Sequence, residues 1–264
     1  SLENPDLEWA GSNLATVFGQ KRNLIRPQFW TMLSDILRFN RESVAWLATH
    51  PDKQRSLREF LNAGRYSSAF ADWYLLPMAA AIWSCPTGQM LDTPLATFVR
   101  FCQNHGLLQV FDRPAWRTVK GGGREYVWRI AEQLDHVRLA CPVHAVTREA
   151  DGLRVAHAEG SERFDQVVMA CHSDQSLRIL GFTASDAQRD ILSAIRYQPN
   201  RAVLHTDRAL LPRDEKLWSA WNYFAGSGEP GFQAVGVSYL INKLQPLPFE
   251  TPVVVTLNPA REPD

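Results

Sequence analysis

Apolar residues recur at helical spacing in the early part of the chain and at every second position further on, so helix-forming pattern gives way to strand-forming pattern along the sequence. Leu7 to Phe18 alternates around Ala10-Gly11-Ser12-Asn13 and reads as a β-hairpin. From Pro27, a residue suited to a first helical turn, Phe29, Trp30, Leu33, Ile36, Leu37 and Phe39 line one side of a helix. Further helices are predicted over Glu42–Ala48, Ser56–Ala63, Ser67–Leu75 and Met78–Trp83, the last two broken at Pro77. Asp92–Asn104 reads as a helix capped by Asp92 and closed at His105-Gly106.

Arg117–Gly123 reads as a strand entering a glycine turn, and Arg124–Gln133 as a helix with Tyr126, Val127, Ile130 and Leu134 on one side. The period then drops to two. Val137–Leu139, Val143–Arg148, Leu153–Ala158 and Phe164–Met169 read as short strands, with turns at Asp151-Gly152 and Glu159-Gly160. Helices follow over Asp174–Leu180 and Ser185–Ile195, then strands over Arg201–Thr206, Trp218–Tyr223, Phe232–Leu240 and Val253–Leu257. Helices and strands are mixed rather than strictly alternating, so the fold class is α+β. The run Val167 to Asp174 reads as a buried strand delivering the chain to a helix N-terminus, where anionic cofactors sit in α/β sheets. Any meander followed by a helix has the same pattern.

Composition narrows the classes. The 264 residues are 45% hydrophobic and 21% charged, ordinary globular values. The 28 basic and 28 acidic residues cancel, which leaves no electrostatic footprint for nucleic acid or an anionic membrane surface. No apolar run approaches the ~20 residues of a membrane span, and the N-terminus has no signal-peptide pattern. Cys85, Cys102, Cys141 and Cys171 form no CxxC pair, so free thiols in a reducing cytoplasm are expected. The chain opens on Ser1-Leu2 with no methionine, as a piece of a longer protein would. The 9 tryptophans suit a large core and also the surroundings of a flat ring ligand. No residue pattern specifies an oligomer.

Other chemistries fit poorly. Cys141, His144, Cys171 and His172 are a weak zinc set, because a proline lies inside the first pair and the second pair are neighbours that diverge; no metal is expected. Gly236-Val237-Ser238-Tyr239-Leu240 lacks the second glycine of a nucleophile elbow. His105, beside Gly106, reads as a helix-end cap rather than a base.

Cys141-Pro142-Val143, Asp165-Gln166-Val167-Val168-Met169-Ala170 and the turn Trp116 to Gly123 with Tyr126-Val127 resemble the distal FAD-domain segments of the flavin-containing amine oxidase family. Leu37-Arg38-Phe39-Asn40, Tyr74-Leu75-Leu76-Pro77-Met78 with Ala81-Ile82-Trp83-Ser84, Ser219 to Tyr223 and Asn242-Lys243-Leu244-Gln245 are similar to a predicted NAD/FAD-binding subgroup. That subgroup is related to the amine-oxidase-like region of plant cyclopropane-fatty-acid synthases. The resemblance implies a mixed-sheet substrate domain with a helical cover, plus the β-meander and return strand of an incomplete FAD-binding domain. The implied layout is residues 1–115 and 183–264 for the substrate-binding domain and 116–182 for the partial FAD domain.

It further implies FAD-dependent hydride removal from a small, apolar or lipid-like substrate. Val143, Ala170 and Cys171 become cofactor contacts, and Trp218, Trp221, Tyr223 and Tyr239 substrate contacts. Trp221 and Tyr223 share one face of a strand and are expected to line an apolar cavity. No catalytic residue is assigned. Lys243 invites comparison with the family lysine that holds a water near the flavin, but its surroundings depart from that motif and it reads as a solvated surface lysine. The GxGxxG fingerprint is absent, and Gly121-Gly122-Gly123 lacks its spacing. FAD is therefore expected in the full-length protein and not in this portion, which is expected to be inactive alone. The alternatives are a non-enzymatic binding module on a flavoprotein fold and a dinucleotide oxidoreductase using NAD.

Overall fold

Asn13 begins the first helix, α1 (Leu14–Val17): its Oδ1 accepts from the Thr16 N–H at 3.0 Å, and Thr16 Oγ1 accepts from the Asn13 N–H at 3.1 Å. This reciprocal cap satisfies locally the groups that a strand partner would otherwise take up, so a helical turn stands where the alternation over Leu7–Phe18 suggests a hairpin. The computed structural model describes residues 6–11, 13–50, 54–83, 87–109, 115–197, 199–225, 235–259 and 261–264. They divide into two compact units, residues 1–123 with 200–264, and residues 124–199. Both boundaries fall later than those of the 116–182 segment set out from the sequence.

In the first unit, α2 (Pro27–Thr49) runs unbroken for 23 residues. The polar stretch at Asn40–Glu42 holds no glycine or proline, so nothing divides it into the two helices expected. Phe29, Met32, Phe39 and Leu47 form its buried row. After α3 (Leu57–Ala63), opened by a Ser56–Glu59 capping box, a continuous helical segment follows: α4 (Ser68–Phe70), a π turn (Ala71–Leu75) and α5 (Leu76–Trp83). Pro77 was expected to break the helix. The π turn before it removes the clash and the missing-donor defect that a proline creates in a regular helix, so the segment continues. Beyond α6 (Thr87–Met90), α7 (Leu95–Asn104) starts after Pro94 without a side-chain cap. The Asp92 carboxylate instead takes Arg58 Nε at 3.1 Å. Gly106, at φ 64°, ends α7 as expected. The core is aromatic, with Phe39 in ring contact with Phe60, Phe70 and Phe98 at 5.4 to 6.2 Å.

The second unit holds α8 (Arg124–Ala131), then β1 (Val143–Glu149), β2 (Gly152–His157) and β3 (Gly160–Phe164) as an antiparallel meander, then α9 (Ser173–Leu180) and α10 (Asp186–Ala194). Gly152 and Gly160 turn the meander with φ of 146° and 141°. Two expected strands are absent: Val137–Leu139 and the return strand Phe164–Met169 are irregular beyond Phe164. A strand ending in the apolar run Val167–Ala170 needs neighbours on both edges and faces. Among the described residues none pairs with it, and Val168 stands 90% exposed. Arg117–Gly123 is likewise irregular, with Gly121 and Gly122 at positive φ.

Returning to the first unit, β4 (Ala202–His205), β5 (Trp221–Ala225), β6 (Val235–Leu240) and β7 (Val254–Leu257) form one sheet in the order β4-β7-β6-β5, with α11 (Ile241–Leu244) between β6 and β7. Every pairing is antiparallel, in place of the mixed sheet expected. A buried polar row crosses three strands: His205 Nε2, Thr256 Oγ1 and Ser238 Oγ lie 2.7 Å apart in succession. Burial lowers the His205 pKa, so this imidazole is neutral at ordinary pH. On one face, Ala80 and Ala81 of α5 pack against Val237, with Tyr223 and Tyr239 beside them.

Asp35 of α2 organises the turn before α4. Its carboxylate accepts from Arg38 Nη2 at 2.8 Å and from the Ser67 N–H at 2.9 Å. Arg38 reaches on to the Gly64 carbonyl at 2.6 Å and lies 3.9 Å over the Tyr66 ring. Burial alone would raise the Asp35 carboxyl, but the Ser67 and Arg38 hydrogen bonds outweigh it and hold it below the ordinary carboxylate range. Its contribution is therefore complete above the unfolded value near ~3.9 and is lost as pH falls through the lower folded value. Asp35→Asn is expected to cost about 2 kcal/mol in urea denaturation at neutral pH, with the gap to the parent chain narrowing below about pH 4. At the contact between α5 and the sheet, Ala80→Leu is expected to lower stability by roughly 1–3 kcal/mol through overpacking, read as a fall in thermal midpoint. An unchanged midpoint would mean that this contact is loose.

Candidate functional site

The first unit holds a cavity of about 930 Å³. One wall is the extended segment Leu7–Ala10. Glu8 is turned away and held by Arg213 Nε at 3.2 Å, while Leu7, Trp9 and Ala10 line the cavity. A second wall comes from the α4–α5 segment, which presents Trp73, Tyr74, Pro77, Met78, Ala81 and Ile82. A third is β5 with the turn before it. Asn222, 4% exposed, bonds the Ser219 carbonyl at 2.7 Å and the Ser219 N–H at 2.9 Å, which fixes that turn and so places Trp221.

The structure places Trp221 and Tyr223 in the wall, side by side on one face of β5. Burial and then the nearby Asp72 charge push the Tyr223 hydroxyl up to about 12, so it remains a proton donor. Trp218 and Tyr239 stand outside the wall. Trp218 precedes the strand, donates from its indole nitrogen to the Pro212 carbonyl at 2.7 Å, and packs on Leu211, Leu240 and Val254. Tyr239 is the cross-strand partner of Trp221 and lies beneath it, edge to face at 5.5 Å.

Sequence reasoning missed three polar lining residues: His105, Arg117 and Lys243. His105 does close α7, donating from Nδ1 to the Phe101 carbonyl at 2.8 Å, but its ring is also held between Phe101 and Trp116 in the cavity wall. Lys243 donates to the Trp218 carbonyl. Gln245 Nε2 bonds Thr118 Oγ1 at 3.0 Å and so joins the segment carrying Lys243 to the one carrying Arg117. Residues far apart in sequence meet here, and no local spacing signals it. Ser238, the position a hydrolase nucleophile would need, is fully buried and bonded to Thr256.

The residues expected to contact the cofactor lie in the second unit. Val143 begins β1, an edge strand whose outward backbone groups suit the edge of an adenine ring. Ala170 and Cys171 lie in irregular chain before α9, with Cys171 Sγ 3.2 Å from Ser176 Oγ. The start of α9 is poorly suited to phosphate. Its Ser173 N–H already donates to the Tyr197 hydroxyl at 3.1 Å, and Asp174 puts a carboxylate in the first turn. Ser173 Oγ, buried without a partner, offers one hydroxyl where a diphosphate takes several donors. The start of α9 therefore offers too few free donors for the phosphates of a flavin cofactor. Near β1, Cys141, His157 and Glu159 bring a thiol, an imidazole and a carboxylate within 4.8 Å, a grouping different from the zinc set considered from sequence. His157 Nδ1 there already faces Cys141 Sγ at 3.3 Å and the Glu159 N–H at 3.2 Å.

No curated protein matches the chain. Among solved structures it is similar to the CLA-producing fatty acid isomerase from P. acnes, at 16% identity and a TM-score of 0.55, covering 90% of this chain and 55% of that one. It is also similar to the "Putative protoporphyrinogen oxidase" from Exiguobacterium sp. 255-15, at 19% identity and a TM-score of 0.49, covering 83% and 50%. The chain thus spans about half the length of these two structures. No helix among the described residues is long and apolar enough to cross a membrane. The sequence profile of the flavin containing amine oxidoreductases matches residues 16–236, most of the chain, and the chain belongs to that family.

Proposed function

We propose that these 264 residues are the substrate-side portion of an FAD-dependent oxidoreductase that removes hydride from an apolar, lipid-like substrate. The observation that carries this reading is the cavity: about 930 Å³, walled by tryptophan, tyrosine, methionine and aliphatic side chains, in a chain whose family uses flavin. The fold likeness to a fatty acid isomerase agrees with an apolar substrate. When bound, flavin supplies the two-electron acceptor. The chain's own part is to orient and dry the substrate: Trp73, Met78, Trp221 and Tyr223 surround its apolar body. Residues 1–115 and 183–264 form the substrate side in this reading. Val143, Ala170 and Cys171 contribute backbone contacts to the nucleoside end, and a glycine-rich loop outside this sequence holds the diphosphate.

The test is spectroscopic. Full-length protein is expected to be yellow, to release FAD rather than NAD on denaturation, and to lose its flavin band anaerobically when an oxidisable apolar substrate is added. Retained colour with no bleaching across such substrates would favour a binding module that keeps the fold without turnover. The 264-residue chain alone is expected to lose added FAD on gel filtration, because a few backbone contacts do not offset the ~4 kcal/mol or more of freedom lost on association. Stoichiometric retention would overturn the assignment of cofactor affinity to the glycine-rich loop.

A further inference from the structure

The ionisable lining of the cavity is one-sided. Among the described residues that line it, the charged side chains are Arg117 and Lys243, with the imidazole of His105, and no carboxylate is present. Both cations are exposed, whereas Leu7, Pro77, Ala81 and Leu217 of the same lining are buried. The positive charge therefore stands at the rim beside the exposed rings of Trp116 and Trp221, with the buried apolar side chains deeper in the lining. The two cations are held on one side of the opening, since the Thr118–Gln245 hydrogen bond ties together the segments that carry them. Neither forms an ion pair among the described residues. Lys243 gives a hydrogen bond to the Trp218 carbonyl, which fixes its ammonium near the rim and leaves two of its three protons.

We propose that this rim anchors the carboxylate of a long-chain substrate, Arg117 as a fork and Lys243 as a point charge, with the alkyl chain lying along Trp73, Met78 and Trp221. This rests on the proposed substrate cavity and names its substrate class. It also sets this chain apart from what the family's description suggests, because among the described lining residues an alkylammonium ion would meet two like charges at the opening and no carboxylate, Asp72 lying behind the wall beside Tyr223. An exposed ion pair is worth about two- to five-fold in affinity, so the two cations together give roughly tenfold.

The test uses the 264-residue chain with dodecanoate, dodecanol and dodecylamine below their micelle-forming concentrations, followed by quenching of the cavity tryptophans and by calorimetry. Dodecanoate is expected to bind about tenfold tighter than dodecanol, and dodecylamine more weakly than either. R117Q, a change at an exposed side chain, is expected to remove about half of this preference on a logarithmic scale without moving the thermal midpoint. The double reversal R117E/K243E is expected to favour dodecylamine over dodecanoate. Equal binding of acid and alcohol, or a preference unmoved by both variants, would overturn the anchor while leaving an apolar substrate cavity in place. Failure of all three ligands to bind would overturn the cavity reading itself.

Discussion

The helical segment from Ser68 to Trp83 is packed on two sides at once, and that contact governs the first unit. Leu75, Leu76 and Ala79 belong to the aromatic core gathered around Phe39, while Ala80 and Ala81 pack on Val237 of the sheet. Only small side chains let a helix come this close to a sheet while its other side is buried. The segment also lines the cavity, and it does so in a row: Trp73, Pro77 and Ala81, with Tyr74, Met78 and Ile82 beside them. Steps of four residues overshoot a regular helical turn by about 40° each. The wider π turn at Ala71–Leu75 brings the row back into line, so the defect that accommodates Pro77 also aligns the cavity wall.

The rest of the cavity is assembled by polar side chains acting on backbone. Asn222 shapes the turn that presents Trp221, and Asn242 takes the Val253 N–H at 2.8 Å and gives to the Thr251 carbonyl at 3.0 Å, which holds α11 and with it Lys243. Arg38 plays the same part at the turn before α4. All three lie in sequence blocks by which the chain resembles its family, and all three hold backbone in place.

Helix positions were legible in the sequence because their apolar periodicity is local, and the meander because Gly152 and Gly160 sit where its turns need positive φ. Errors arose where a local signal had two outcomes. The Gly11–Asn13 break serves a hairpin or a helix cap equally well, and the Asn13–Thr16 exchange decides for the cap. Pro77 reads as a break unless the preceding turn widens. The apolar run Val167–Ala170 has strand composition, but strand conformation depends on partners that no pattern within the run supplies. Of the candidate site, Trp221 and Tyr223 followed from alternation on one strand, whereas Trp218 and Tyr239 lie in the neighbouring packing. Arg117 and Lys243 come together through a contact between residues 118 and 245, and nothing near either position announces it.

The order β4-β7-β6-β5 puts a late strand in the middle of the sheet. β7 comes from residues 254–257, later in the chain than the strands on either side of it, so the facing edges of β4 and β6 have no partner in the sheet without it. The buried row of His205, Thr256 and Ser238 acts on this late arrival as a vernier: Thr256 finds both partners only when β7 sits opposite Ser238, and a shift by one residue turns its hydroxyl to the other face and strands two buried polar groups. The sheet therefore closes in a single alignment. The surface that receives Ala80 and Ala81 belongs to β5 and β6, so the register that Thr256 enforces also steadies the sheet against which the cavity wall is set.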